Sequence, residues 1–201
     1  MELEINKLYI NEIDVEKSRF IAYFFPIQNK DDFINELNKI KKENPKARHY
    51  CYAYKFDNEI KFSDDGEPKG SAGKPILSVI ENKNLINCAI IVVRFFGGVL
   101  LGSGRLLRTY LLSATSVVEK ATLLEIVEEI EFSVEVEINI YDIFKNYLLK
   151  HHFDIVKTVF NDKIQVVFKT PLIFKEDLQS LFYPKVKILD KKTVKSVKEE
   201  K

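Results

Sequence analysis

Cysteine is scarce in this sequence: Cys51 and Cys88 are the two present, and neither sits in a C-x-x-C pair. That excludes a disulfide scaffold and a thiolate metal knuckle, and both residues, set in apolar strand-like runs, read as buried reduced thiols. Long apolar runs are missing as well. The longest, Cys88 to Val93, is far short of the ~20 residues of a membrane-spanning helix and reads as a strand. The acidic opening Met1-Glu2-Leu3-Glu4 has no apolar segment behind it, so no secretory leader is expected and a cytoplasmic location is. Neither sign of charge is in excess. Lys and Arg total 31, Asp and Glu 30, for a net charge of +1, so attraction to nucleic acid or anionic lipid must come from a local patch. Arginine is rare among the cations: Arg19, Arg48, Arg94, Arg105 and Arg108 are the five. Glycine is confined, with all seven between Gly66 and Gly104.

The 201 residues are 46% hydrophobic and 30% charged, a globular composition long enough for two small domains. Leu3 to Ile13 and Arg19 to Ile27 read as β runs around a polar turn at Glu16-Lys17-Ser18. Asp31 to Asn44 has Phe33, Leu37 and Ile40 at helical spacing. Arg48 to Phe56 alternates with period two, and Ile60 to Phe62 reads as its hairpin partner. A short helix follows over Pro75 to Glu81, a buried strand over Asn87 to Arg94, and a long helix from Arg105 to about Ala121 with Leu106, Tyr110 and Val117 facing inward. Beyond a boundary near Val127, a strand (Ile130 to Ile140), a helix (Tyr141 to His152), two strands around Asn161-Asp162, a helix (Lys175 to Phe182) and a strand (Val186 to Leu189) give the order β-α-β-β-α-β. That is the split pattern of ferredoxin-like domains. The expected organisation is therefore α+β, with domains over 1–126 and 127–190 and a charged, frayed tail over 191–201.

Four features bear on chemistry. Arginine kept against a lysine-rich background suits gripping phosphate or carboxylate with a planar fork, or an ordinary ion pair. The segment from Val92 to Arg105 is a strand, a glycine turn and a helix start, carrying Arg94, Gly97, Gly98, Gly102, Ser103, Gly104 and Arg105, with Arg108 one turn on. Free backbone N–H groups make such a turn an anion site, or glycine serves there only for backbone freedom. The loop Ser63 to Gly73 carries Asp64, Asp65 and Glu67, weak candidates for a hard cation against turn formation; no metal and no cofactor is assigned. Lys74 closes that loop. Pro75 stands where a phosphate-binding P-loop needs Ser or Thr, so that motif is rejected. His49 beside Arg48 is either a polar contact or a surface histidine, and nothing completes a catalytic triad with it or with Cys51. The row Tyr50, Tyr52, Tyr54 is either a core face or a stacking platform.

Lys17 to Ala22, Ala47 to Ala53, the Phe62 to Pro75 loop and the Val93 to Gly104 turn resemble, in order, the YigZ/IMPACT (UPF0029) family. Residues from about 130 to 190 resemble the small C-terminal domain of its bacterial members. The resemblance implies an N-terminal domain similar to the second domain of a small-subunit ribosomal protein and to a domain of elongation factor G. It also implies a ferredoxin-like C-terminal domain. Eukaryotic relatives are similar to translational regulators that bind a kinase activator through an added RWD domain. Here the family motif begins at Lys17, so that partner is not expected. The resemblance supplies no catalytic residues.

The leading expectation is a translation-associated binding protein, more a binder than an enzyme, contacting RNA, the ribosome or a translation factor and no membrane. Its anion or RNA contacts would be Arg48, His49, Lys74, Arg94, Gly97, Gly98, Gly102, Ser103, Gly104, Arg105 and Arg108. The alternative is an enzyme or sensor for a small phosphorylated or carboxylated ligand, held by the acidic 63–74 loop and the glycine turn. On the leading expectation, Arg94→Ala with Arg105→Ala weakens anion or RNA binding and leaves the fold intact.

Overall fold

The computed structural model describes residues 2–174 and 178–199. The chain is a mixed α/β structure with two sheets, and it divides into two compact units. The first holds the chain as far as Glu125, and the second runs from Ile126 to Val197.

In the first unit, β1 (Glu2–Glu4) precedes the hairpin β2 (Tyr9–Val15) and β3 (Ser18–Pro26). One continuous run from Leu3 was expected; instead the chain breaks after Glu4, where Leu3 exchanges backbone bonds with Asn84 and Ile86. Glu16 and Lys17 turn the hairpin with φ of 47° and 65°, a conformation usually taken by Asn-Gly. Next come α1 (Lys30–Glu43), the hairpin β4 (His49–Phe56) and β5 (Glu59–Ser63), α2 (Gly73–Asn82), β6 (Cys88–Phe95) and α3 (Ser103–Glu119). The five strands β2-β3-β6-β4-β5 form an antiparallel sheet.

Both faces of this sheet are covered, so central β6 is buried over Cys88 to Arg94 and shows no alternation. Phe20, Ala22, Phe24, Cys51, Ala53, Ile90 and Val92 pack on Ile76 and Ile80 of α2 and on Leu106, Tyr110, Ala114 and Val117 of α3. The opposite face, with Tyr23, Phe25, Tyr54, Ile91 and Val93, packs on Phe33 and Ile40 of α1. The tyrosine row belongs to that second core. Tyr54 is fully buried, its ring centroid 4.7 Å from that of Phe33, and Tyr52 and Tyr50 pack at its margin. Each such fully buried side chain stabilises the fold by about 1.5–3 kcal/mol.

The second unit contains β7 (Leu124–Val136) from Ile126 on, a 3-10 turn at Ile138–Ile140, α4 (Tyr141–Lys150), β8 (Asp154–Phe160), β9 (Ile164–Pro171), α5 (Leu178–Phe182) and β10 (Val186–Glu199) as far as Val197. Its strands lie in the order β10-β7-β9-β8. Ile130, Phe132, Val134 and Val136 on β7, with Ile164, Val166 and Phe168 on β9, face Phe144 and Leu148 of α4 and Leu178 of α5. The strand expected to run to Ile140 ends at Val136, because the chain there tightens into the 3-10 turn. Part of the helix expected over Lys175 to Phe182 falls on 175–177, outside the described residues.

One expectation is corrected here. Residues 191–199, read as a frayed tail, continue β10. The lysines that suggested fraying are anchored: Lys192 pairs with Glu131 at 3.0 Å, and Lys191 lies over the Phe132 ring at 5.3 Å. The two final residues of the expected tail, 200–201, lie outside the described residues. Among the described residues no helix is long and apolar enough to cross a membrane.

Candidate functional site

The loop between β5 and α2 is organised by its acids. The Asp64 carboxylate accepts backbone N–H bonds from Gly70 at 2.8 Å, Ala72 at 3.0 Å and Gly73 at 2.8 Å. The last two open α2, so Asp64 caps that helix from a distance where Ala72 at the N-cap has no side chain to do it. Burial pushes the Asp64 carboxyl up, but the three backbone bonds and the Lys74 charge outweigh it and hold its pKa below the ordinary 3.8. A carboxyl depressed on folding stabilises above its unfolded pKa, and the contribution is lost as pH falls through the folded value. Asp64→Asn is therefore expected to destabilise the first unit at neutral pH and to flatten its loss of stability in acid. Circular-dichroism melts from neutrality down to roughly pH 2 check both effects; parallel curves for variant and wild type would refute them.

Asp65 accepts the Tyr50 N–H at 2.7 Å, and its carbonyl lies 2.8 Å from His49 Nδ1. A carbonyl only accepts, so Nδ1 carries the proton. Nε2 then faces the Glu67 carboxylate at 4.0 Å. Asp64, Asp65 and Glu67 all bond inward, and among the described residues no cluster of His, Cys, Asp and Glu is arranged to hold a metal ion.

Glu67 reaches the end of β6. Its Oε1 accepts from Arg94 Nη1 at 2.6 Å and from the Tyr110 hydroxyl at 2.8 Å. Arg94 and Glu67 are 5% and 9% exposed, and the Arg94 guanidinium lies against the Phe20 and Phe96 rings at 5.4 and 5.5 Å. The Cys51 thiol donates to the Asp64 carbonyl at 2.9 Å and lies 3.3 Å from the Tyr110 hydroxyl. Burial raises the pKa of the Cys51 thiol and the Tyr110 hydroxyl, and pushes the Cys88 thiol up to about 12, so all three stay protonated at neutral pH. Neither cysteine is an activated nucleophile.

This corrects the expectation that Arg94 contacts an anion or RNA beside Arg105 and Arg108. Arg94 points into the fold, and its charge is spent on Glu67. Arg105 and Arg108 stand elsewhere, on the exposed first turns of α3. Arg105 meets Glu16 at 2.7 Å across a solvent-exposed contact, and Arg108 makes no hydrogen bond or ion pair among the described residues. Arg48 is exposed, with its guanidinium 5.3 Å from the Phe96 ring. Lys74 is exposed on the first turn of α2. Gly97 is packed on the β2–β3 turn, its N–H donating to Ser18 Oγ at 3.2 Å.

The start of α3 differs from the starts of α1 and α2. Asn29 caps α1 by accepting the Asp32 N–H, and Asp31 and Asp32 lie in its first turn. At α3, Gly102 is the N-cap, no side chain caps the helix and no acid stands in the first turn. The first intrahelical bond runs from the Leu106 N–H to the Gly102 carbonyl at 3.0 Å. The N–H groups of Ser103, Gly104 and Arg105 therefore open onto an exposed surface flanked by two arginines.

Sequence reasoning missed the role of the Tyr110 hydroxyl and the pairing of Glu67 with Arg94. A signal existed for the first: a tyrosine on the inner face of a helix needs a buried partner for its O–H.

The Impact N-terminal domain family matches residues 16–118, just over half of the chain. An IMPACT family member of Haemophilus influenzae is 43% identical over 104 residues, covering 49% of this chain and 50% of its own. The Bacillus subtilis family member YvyE is 41% identical over 103 residues, covering 50% and 48%. The chain thus spans about half the length of the curated relatives it matches. A crystal structure of a hypothetical protein aligns with TM-score 0.60 at 25% identity, over 85% of this chain and 86% of that one.

Proposed function

Because the chain belongs to the IMPACT family, we propose that it is a translation-regulating binding protein of the cytoplasm, contacting RNA, the ribosome or a translation factor. The observation that carries this reading is the uncapped, acid-free start of α3. Three free N–H groups, the positive end of a 17-residue helix and the Arg105 and Arg108 guanidiniums suit the phosphates or carboxylates of a large anionic partner. Arg48 and Lys74 add exposed positive charge beyond it.

The fold analogy adds support: we read the strand order β10-β7-β9-β8 as the split arrangement of a ferredoxin-like domain. We read the first unit as the domain type shared with a ribosomal protein and elongation factor G. Folds of this kind host other functions, so the weight rests on the α3 site. The small-ligand alternative needs Asp64, Lys74 and Arg94 in one open pocket. Asp64 is already bonded to the start of α2 and Arg94 to Glu67, which counts against it.

The test is a salt titration of binding to a short single-stranded RNA. Each phosphate contact contributes about 0.7 to the slope of log affinity against log salt. Arg105→Ala with Arg108→Ala is expected to lower the slope by about 1.4 without changing the circular-dichroism spectrum. An unchanged slope, or no binding at low salt, contradicts an RNA-binding site at α3.

A further inference from the structure

The exposed side of α3 carries more than arginine. Leu107, Leu111 and Leu112 are exposed along it, and Val99 and Leu100 are exposed on the loop that leads in, Leu100 at 87%. Leu107 and Leu111 are spaced i, i+4, and so are Arg108 and Leu112, which places an apolar row beside a row that opens on a cation. No Asp or Glu stands anywhere between Glu81 and Glu119, in a chain with 30 of them.

Scattered exposed leucines need no explanation, but a row of them beside Arg108, which has no ion pair among the described residues, marks an interaction surface. We propose that this face docks an amphipathic helix of a partner protein, with aliphatic side chains on one stripe and Asp or Glu along its border. This deepens the reading above and rests on it, naming a protein as the partner at the α3 site.

Chemistry and charge select the occupant. RNA phosphates would meet the start of α3 but leave the leucine row uncovered, because single-stranded RNA buries its bases on aromatic rings. The exposed apolar groups here are aliphatic, and the nearby Phe95 and Phe96 are half-buried, with Arg19 over the first and Arg48 and Arg94 beside the second. A second copy would bring the same face against itself and set arginine near arginine, with Glu16 already paired with Arg105. A membrane surface calls for a denser basic cluster than two arginines, one of them paired with Glu16. A leucine stripe with acidic borders satisfies both rows at once.

The probe is a labelled helical peptide of about 18 residues, five turns, with leucine at i, i+4, i+7 and i+11 and glutamate at the flanking positions. The control peptide has lysine for every glutamate. Anisotropy titration with the full chain is expected to show saturable binding of the glutamate peptide only. Leu107→Ser with Leu111→Ser, and separately Arg108→Glu, are expected to weaken it by about tenfold or more, with unchanged circular-dichroism spectra. Absent binding, equal binding of both peptides, or insensitivity to both variants overturns the proposal. So does a leucine variant that keeps peptide binding but loses self-association or binding to phosphatidylserine vesicles. If the peptide fails while the RNA salt slope still depends on Arg105 and Arg108, the partner at α3 is RNA: this proposal falls and the proposed function stands.

Discussion

Replacing Glu67 with alanine is expected to cost the first unit about 3–5 kcal/mol, because it leaves the Arg94 charge buried without its partner. Arg94 is 5% exposed, its Nε has no hydrogen-bond partner among the described residues, and Glu67 is the acceptor its Nη1 reaches. Tyr110 loses the same acceptor. At roughly 4 °C per kcal/mol, the melting temperature should fall by more than ten degrees. Arg94→Ala should do comparable damage, because it strands the carboxylate. The expectation that Arg94→Ala with Arg105→Ala leaves the fold intact is therefore reversed: Arg94 holds the acidic loop onto the end of the sheet. Arg94→Met combined with Glu67→Leu removes both charges together, and replacing a buried pair by apolar groups of similar size is often neutral or stabilising. That double variant should recover most of the Glu67→Ala loss, short of the roughly 1–3 kcal/mol for the buried Tyr110 hydroxyl left without its acceptor. A Glu67→Ala protein that melts like wild type would show that the pair contributes nothing.

Gly97→Ala is expected to be the most damaging of the glycine-to-alanine changes. A Cβ at Gly97 would fall inside contact distance of the Lys17 carbonyl and only 2.6 Å from the Ser18 nitrogen. These are backbone atoms of the tight β2–β3 turn, so no side-chain rotation relieves the clash. Gly98 and Gly102 give the contrast. Their φ values are 86° and 70°, but nothing lies within 4 Å of an added Cβ. Alanine there meets only backbone strain, about 1–2 kcal/mol. Denaturant melts of the three alanine variants should rank Gly97 far below Gly98 and Gly102, by about 3 kcal/mol or more. Equal losses at all three would mean that turn conformation, not close approach, is what glycine supplies.

Most elements were legible because period and punctuation agree. Phe33, Leu37 and Ile40 at helical spacing place α1, and the alternation through Tyr50, Tyr52 and Tyr54 places β4. The β2–β3 turn was located, but its left-handed Glu16 and Lys17 carry no glycine or asparagine to announce the geometry. The β10 strand was underestimated because charge on a strand looks like charge on a tail until its partners, Glu131 and the Phe132 ring, are known. The site was half legible. The glycine turn and the start of the helix after it could be placed from local sequence. The fate of Arg94 could not, since its partner Glu67 is 27 residues away and acids in a loop usually look solvated. Long-range pairing decides which arginine is structural and which is free, and spacing along the chain does not encode it.

The central claim is that an anionic partner meets the start of α3 while Arg94 serves the fold. It is tested most directly by one RNA salt titration run on wild type, on Arg105→Ala with Arg108→Ala, and on Arg94→Met with Glu67→Leu. The prediction is a slope that shrinks by about 1.4 in the first variant and matches wild type in the second. A slope that shrinks in the Arg94 variant and holds in the Arg105 and Arg108 variant would place the partner at the strand end and contradict the claim.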